Sequence, residues 1–295
     1  MIRRDPRIAG APITWGVCEV PGWGWQLDAD RVLREAAGLG LRAIELGPRG
    51  FLPEDPAEVA RTLDRYDLRL AAGFVPAVLH RQELRDAELR TVRTAAATLR
   101  AAGAELLVLA AELGNGGYER STELSGAEWR SLLQGLNQAR EVVEAEGLSA
   151  ALHPHYGTAV VTAEHVSRVL QGSDIALCID TGHLLVGGAD PVEVVRSANG
   201  RVRHVHFKDV DAALAALVRS GAIGYRDAVA RGLYRPLGDG DVDVAAVIHL
   251  LEDAGYAGWY VLEQDVVLDR EPGVGLGPAA DAARSVHYLK GLMRG

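Results

Sequence analysis

Short apolar runs alternate with segments of helical period along all 295 residues, and this alternation narrows the fold more than any other feature of the chain. Strand-length runs fall at residues 8–15, 43–46, 70–74, 106–110, 150–153, 175–179, 202–206 and 259–263. Helical spacing of apolar residues occupies 28–39, 56–66, 86–102, 127–146, 163–170, 191–198, 244–254 and 278–292. The result is eight strand–helix units in succession.

Local punctuation supports these boundaries. Ser125 with Glu128 fits a capping box, and Asp190 before Pro191 supplies an N-cap followed by a proline at the first helical turn. Gly40, Gly103, Gly147 and Gly255 each stand between a helical segment and an apolar run, where a left-handed residue stops a helix. The runs are rich in Val, Ile, Leu and Ala with little alternation, as expected of parallel strands covered by helices on both faces. The expected fold class is therefore α/β, a (β/α)8 TIM barrel forming a single domain over residues 1–295. A doubly wound sheet is the competitor, but no GxGxxG or Walker loop follows the first run, and GVCEVPGWGW has the wrong glycine spacing. The stretch 210–243 is longer than an ordinary connection and contains the helix-like AALAALVRS; it either covers the barrel mouth or is a surface excursion.

A formal charge of −9 argues against nucleic acid or an anionic membrane as partner, because both recruit clustered positive charge. Two cysteines, Cys18 and Cys178, are too few for a disulfide framework or a thiolate metal cage. No run of about 18 apolar residues occurs, and the first residues lack a signal-peptide core, so a soluble cytoplasmic protein is expected.

Four candidate metal ligands end four successive apolar runs: His153 in SAALHPHYG, Asp180 in ALCIDTGH, His206 in RHVHFKD and Glu263 in WYVLEQD. In a closed parallel barrel the strand ends converge on one rim, so residues distant in sequence can share one ion. Asp180 is costly in a core unless it meets a cation or a polar group; capping the next turn is its structural alternative. His183 follows it closely enough to serve the same site. His204, His206 and Lys208 share one face of a strand, with His204 a layer deeper as support and Lys208 at the rim to stabilise an oxyanion. The HPH of His153 and His155 repeats this parity, with one imidazole available to the metal and the other to substrate, and packing as the structural alternative for either. Trp15 and Glu45 are weaker substrate-binding candidates: a tryptophan is often core, and Glu45 has Arg49 nearby for an ion pair.

On these residues the chain resembles the xylose isomerase-like barrel superfamily of sugar isomerases, epimerases and dehydratases over nearly its whole length. GAPITWGV, IELGPRGFLPEDP, LHPHYGT, DTGHLLVGG, HVHFKDV and LEQD are most similar to the inosose dehydratases of inositol catabolism. GDGDVD at 238–243 resembles a stretch that many members carry before the seventh helix. The resemblance implies a divalent metal, Mn2+ or Co2+ first, with Zn2+, Fe2+ or Mg2+ compatible, on Asp180, His206 and Glu263. His183, Lys208 and His155 would contact a small polyol or keto-sugar, and a homodimer is admitted. His153 stands where the epimerase and isomerase branches usually carry a glutamate that is both ligand and base.

That departure has a chemical meaning. Epimerisation requires bases on two faces of the substrate, whereas dehydration requires one abstraction α to a carbonyl and an acid for the departing hydroxyl. The expected activity is thus a hydro-lyase converting 2-keto-myo-inositol to a trihydroxycyclohexane dione and water. Glu263 or His155 would take the proton, His183 would protonate the leaving oxygen and Lys208 would support the oxyanion. A metal-dependent epimerase or aldose–ketose isomerase is the alternative, and a non-catalytic polyol-binding barrel a third. A phosphorylated substrate would need an anion cradle, for which only GDGD is available.

Overall fold

The computed structural model describes residues 7–114, 119 and 122–293. Its strands in chain order are β1 (Ile8–Gly10), β2 (Ala43–Ile44), β3 (Arg69–Leu70), β4 (Ala72–Ala77), β5 (Leu106–Ala111), β6 (Ser149–Leu152), β7 (Ala176–Asp180), β8 (Val202–Phe207), β9 (Asp209–Val210), β10 (Tyr234–Arg235) and β11 (Tyr260–Leu262). Nine of them form one parallel sheet in the order β3-β2-β1-β11-β8-β7-β6-β5-β4. β3 and β4 are one strand interrupted at Ala71, and the Leu46 amide donates to the Ala72 carbonyl at 2.9 Å, which joins β2 to β4 and closes the barrel. The fold is a (β/α)8 TIM barrel.

The helices are α1 (Ala29–Gly38), α2 (Pro56–Asp64), α3 (Arg85–Ala101), α4 (Gly126–Ala145), α5 (Ala163–Gly172), α6 (Thr181–Val186), α7 (Pro191–Ala198), α8 (Ala212–Arg219), α9 (Tyr225–Ala230), α10 (Val244–Asp253) and α11 (Pro278–Leu292). The capping box of α4 is formed, with the Ser125 amide donating to Glu128 Oε2 and the Glu128 amide to Ser125 Oγ. Asp190 caps α7 through the Val192 amide. Gly40, Gly103, Gly147 and Gly255 all take positive φ. Every position of β5 is buried, and Leu132 and Leu136 of α4 are fully enclosed in the helix layer. Truncating either to alanine would cost about 2–5 kcal/mol.

Two departures from the sequence expectation matter for the site. The first apolar run does not remain a strand to Trp15: β1 ends at Gly10, and Pro12–Trp15 is a 3-10 turn. Pro12 has no N–H for the ladder but suits the first turn of a helix. The second departure is α6, which starts directly after Asp180 and was not anticipated.

The connection at 210–243 is built rather than loose. It contains α8, α9 and the antiparallel ribbon of β9 with β10, and its Tyr225 and Tyr234 are buried toward the barrel mouth. Its GDGD loop wraps the carboxylate of Asp209. Oδ2 accepts from the amides of Gly238 (2.8 Å) and Gly240 (3.0 Å), and Oδ1 from those of Val210 (2.9 Å) and Val242 (3.0 Å). A Cβ on Gly240 would lie 2.3 Å from Asp209 Oδ1, so glycine is required by close approach. The amides a phosphate would use are already taken by an internal carboxylate.

Candidate active site

Parallel pairing brings four strand ends to one rim. Asp180 ends β7 in register with His206 of β8; the His153 amide extends β6 by donating to the Leu109 carbonyl; and the Glu263 amide extends β11 by donating to the Phe207 carbonyl. All four side chains are buried. Donor atoms of Asp180, His206 and Glu263 lie within 4.8 Å of one another. His153 is gathered with Asp180 and His183, its Nε2 standing 3.2 Å from Asp180 Oδ2.

Asp180 fills both roles considered for it. Oδ1 accepts from the His183 amide at 2.7 Å and caps α6, while Oδ2 faces His153 Nε2, Lys208 Nζ (3.5 Å) and His206 Nδ1 (3.6 Å). The short helix thereby aims the second oxygen at the cluster. Gly182 in DTGH allows this packing, since a Cβ there would meet Lys208 Cβ at 2.4 Å.

Beneath the cluster, Glu45 Oε1 accepts from His204 Nε2 (2.7 Å) and His206 Nε2 (3.0 Å). A carboxylate on one ring nitrogen orients the other, the usual support of a metal-binding imidazole. His206 Nδ1 is thus turned to Glu263 Oε2 at 2.6 Å, yet the two have no hydrogen-bond geometry. With His153 Nδ1 they are buried polar atoms without a hydrogen-bond partner, an arrangement that costs free energy unless something else bonds them. Two carboxylates and two imidazoles are also a donor set that first-row divalent ions accept. The residues fit a divalent metal ion.

The electrostatics agree. Burial alone would raise the carboxyl of Glu45, but His206 and His204 hold it below its usual range. Glu263 is likewise opposed by burial and held down to about 2 by His206 and Lys208. Asp180 lies well below the usual carboxylate range because the Lys208 ammonium and the hydrogen bonds of His153 and His206 outweigh its burial. Cys178, beside His206, is pushed up to about 11 by burial and stays a thiol.

Around this cluster runs a second layer. Lys208, fully buried, places Nζ 2.9 Å from Asp265 Oδ1, 3.0 Å from Glu263 Oε1 and 2.9 Å from His183 Nε2. Burial works against its charge, but Asp180, Asp265 and Glu263 keep it an ammonium. Burial keeps the His155 and His183 rings neutral, and His155 is pushed down to about 3. The His155 and His183 rings lie 3.7 Å apart between centroids, and His155 Nδ1 meets the Tyr156 carbonyl at 2.6 Å. A carbonyl only accepts, so the ring proton sits on Nδ1 and Nε2 is the basic nitrogen. Above lies a cavity of about 290 Å3 whose walls include Glu45, His153, His155, His206, Glu263 and Asp265. Trp23, Phe74 and Tyr225 give it apolar sides.

A family model for the xylose isomerase-like TIM barrel matches residues 33–291. The chain belongs to this family. Among curated relatives, an inosose dehydratase of Geobacillus kaustophilus (strain HTA426) is 34% identical, with 88% of this chain and 87% of that one covered. The rhizopine catabolism protein MocC of Rhizobium meliloti is 33% identical, with 88% and 81% covered. Among solved structures, an L-ribulose 3-epimerase superposes with a TM-score of 0.71 at 18% identity over 98% of this chain and 95% of that one. An IOLI protein with a bound zinc atom gives 0.70 at 15% identity over 97% and 98%. These structures share the xylose isomerase-like fold.

Within the xylose isomerase-like barrel, the expected residues fall into three groups. Asp180, His206 and Glu263 meet as a compact trio, with His153 reaching it at Asp180. His155 lines the cavity, whereas His183 and Lys208 stand behind its wall. Trp15 needs correction as a substrate contact: it is fully buried, does not line the cavity, and donates its indole N–H to Glu35 Oε2 at 3.0 Å. The early end of β1 turns it into the core, and Trp23 supplies the indole of the cavity wall. Glu45 does not pair with Arg49, which binds Glu54 instead; it lies under His206 and reaches the cavity floor. Sequence reasoning missed Asp265 and Tyr225. Asp265 follows Glu263 with the same parity that singled out His206 and Lys208, so that signal was available; Tyr225 carried none.

Proposed function

We propose that this chain is a divalent-metal-dependent dehydratase of a keto-inositol such as 2-keto-myo-inositol, yielding a trihydroxycyclohexane dione and water. The observation that carries the reading is the asymmetry of the rim: a carboxylate, Glu263, on one side of the cavity and imidazoles, His153 and His155, where a two-base epimerase needs a second carboxylate. Relatives named inosose dehydratase support it at up to 34% identity, whereas the epimerase structures share the fold at 16–18%.

Asp180, His206 and Glu263, with His153 as fourth donor, would hold the metal; Mn2+ or Co2+ is favoured, and Zn2+, Fe2+ or Mg2+ is compatible with the donors. Bound there, a divalent ion supplies Lewis-acid stabilisation of the negative charge that develops on removal of a proton α to a ketone. The protein groups divide the remaining work. Glu263 or the Nε2 of His155 accepts the carbon-bound proton, both being unprotonated at neutral pH. The proton that Glu263 or His155 takes up is returned from Nε2 of His155 to the departing hydroxyl, which leaves as water, while His183 backs the His155 ring from behind the cavity wall. Lys208 acts from behind Glu263 and Asp265 as the fixed positive charge. Phe74, Trp23 and Tyr225 offer apolar surface to the C–H faces of a carbocycle. Saturation of the GDGD amides by Asp209 favours an unphosphorylated substrate.

Among the described residues no helix is long and apolar enough to cross a membrane, and Cys18 and Cys178 are both free thiols. A cytoplasmic enzyme fits both facts.

The test is dione formation, followed by ultraviolet absorbance, when purified protein is given 2-keto-myo-inositol with Mn2+ or Co2+. Chelator should abolish it and added metal restore it. Absence of dione with each of the five metals would overturn the substrate assignment. Solvent deuterium in recovered or epimerised sugar, without water loss, would point to the epimerase instead.

A further inference from the structure

Tyr225 and Tyr234 lie in the connection at 210–243, far in sequence from the strand ends, yet their hydroxyls complete a closed ring of contacts behind the cavity wall. Tyr225 Oη donates to Asp265 Oδ2 at 3.0 Å and lies 3.0 Å from Tyr234 Oη. Tyr234 Oη is 3.4 Å from His183 Nδ1; His183 Nε2 is 2.9 Å from Lys208 Nζ; and Lys208 Nζ returns to Asp265 Oδ1 at 2.9 Å. The ring is Asp265, Tyr225, Tyr234, His183 and Lys208.

Donor chemistry fixes the direction of every contact, from the Lys208 ammonium round both sides to the Asp265 carboxylate. An ammonium only donates, so His183 Nε2 accepts from Lys208 and the imidazole proton sits on Nδ1. The amide of Tyr156 also approaches Nδ1, at 3.4 Å, but a neutral imidazole has one acceptor and the shorter Lys208 contact claims it. A carboxylate only accepts, so Tyr225 donates to Asp265 and takes its own hydrogen bond from Tyr234. Each member then has a partner of the right kind, and His183 and Lys208 are held in one orientation.

The tyrosines are themselves anchored. The Tyr225 amide donates to Glu119 Oε2 at 2.9 Å, and the neighbouring Arg226 guanidinium donates to the carbonyls of Gly22 and Trp23, both at 2.9 Å. The Tyr225 ring stacks on Tyr156 at 5.2 Å. Helix α9 is thus fixed to the loops on either side of the mouth while its first residue reaches down to Asp265.

We propose that Tyr225 is a positioning residue of the active site: together with Tyr234 it closes a ring of four hydrogen bonds and the Lys208–Asp265 ion pair that holds Lys208 and His183 in register with the donor cluster. The proposal rests on the dehydratase reading for its kinetic test, but not for its spectroscopic one. Tyr225→Phe and Tyr234→Phe should each lower kcat for 2-keto-myo-inositol by at least about tenfold with KM within about threefold, the range for losing an outer-shell partner. The double variant should lose little more than the worse single, because a ring broken once is already broken. Histidine 15N spectra of the purified protein with zinc added should show His183 as the Nδ1–H tautomer in the wild type and a mixture in Tyr234→Phe.

A kcat loss below about tenfold, a KM rise in its place, or losses that multiply in the double variant would overturn the proposal, as would an unchanged His183 tautomer in Tyr234→Phe. If the wild type forms no dione, the dehydratase reading fails and the spectra alone decide the ring.

Discussion

Asp180 and Asp209 are both fully buried aspartates in strands of the same barrel mouth, yet their surroundings differ in kind. Asp209 is saturated: four backbone amides from its own ribbon and the GDGD loop satisfy both oxygens. Asp180 gives one oxygen to an amide and turns the other toward two imidazoles and an ammonium, among nitrogen and oxygen atoms that lack hydrogen bonds. A buried carboxylate whose lone pairs are all taken by the main chain is a piece of architecture. One that shares its space with crowded, unsatisfied donors is a site.

Substitution should separate the two. Asp180→Asn keeps the oxygen that caps α6 but removes the charge, and turnover should fall by about 10³-fold or more with the melting temperature little changed, as steady-state kinetics and thermal unfolding would show. A variant that keeps a tenth of wild-type turnover would break the comparison. Asp209→Asn should do the reverse. It places an amide N–H among four donors and should destabilise the fold by about 2–4 kcal/mol, while the folded protein keeps kcat within about threefold. A smaller effect falls on Glu45, which orients His206 without belonging to the trio: Glu45→Gln should weaken metal binding by about 10–100-fold, measured by competition with a chelating dye. Trp15→Phe, at the small end, removes one indole hydrogen bond to Glu35 and should cost about 0.5–1.5 kcal/mol with no change in KM.

The same contrast explains what was legible in the sequence. The barrel follows from hydrophobic period and glycine stops, because these are local consequences of backbone chemistry. The trio follows from strand ends, because parallel strands fix where such ends go. Trp15 was misplaced for a local reason, since Pro12 ends the strand that an unbroken apolar run suggested. GDGD could be read only as an open question, because the same glycines that could receive a phosphate can equally wrap a carboxylate, and the choice depends on Asp209 arriving from 29 residues away in sequence. Tyr225 was invisible: its meaning lies in a contact with Asp265 across 40 residues, which no period encodes.

The most direct test of this account is elemental analysis of the purified protein alongside Asp180→Asn and Asp209→Asn, each incubated with Mn2+ and desalted. The account predicts one ion per chain in the wild type and in folded Asp209→Asn, and under a tenth of an ion in Asp180→Asn. A wild-type protein that retains no metal, or an Asp180→Asn protein that retains a full equivalent, would contradict it.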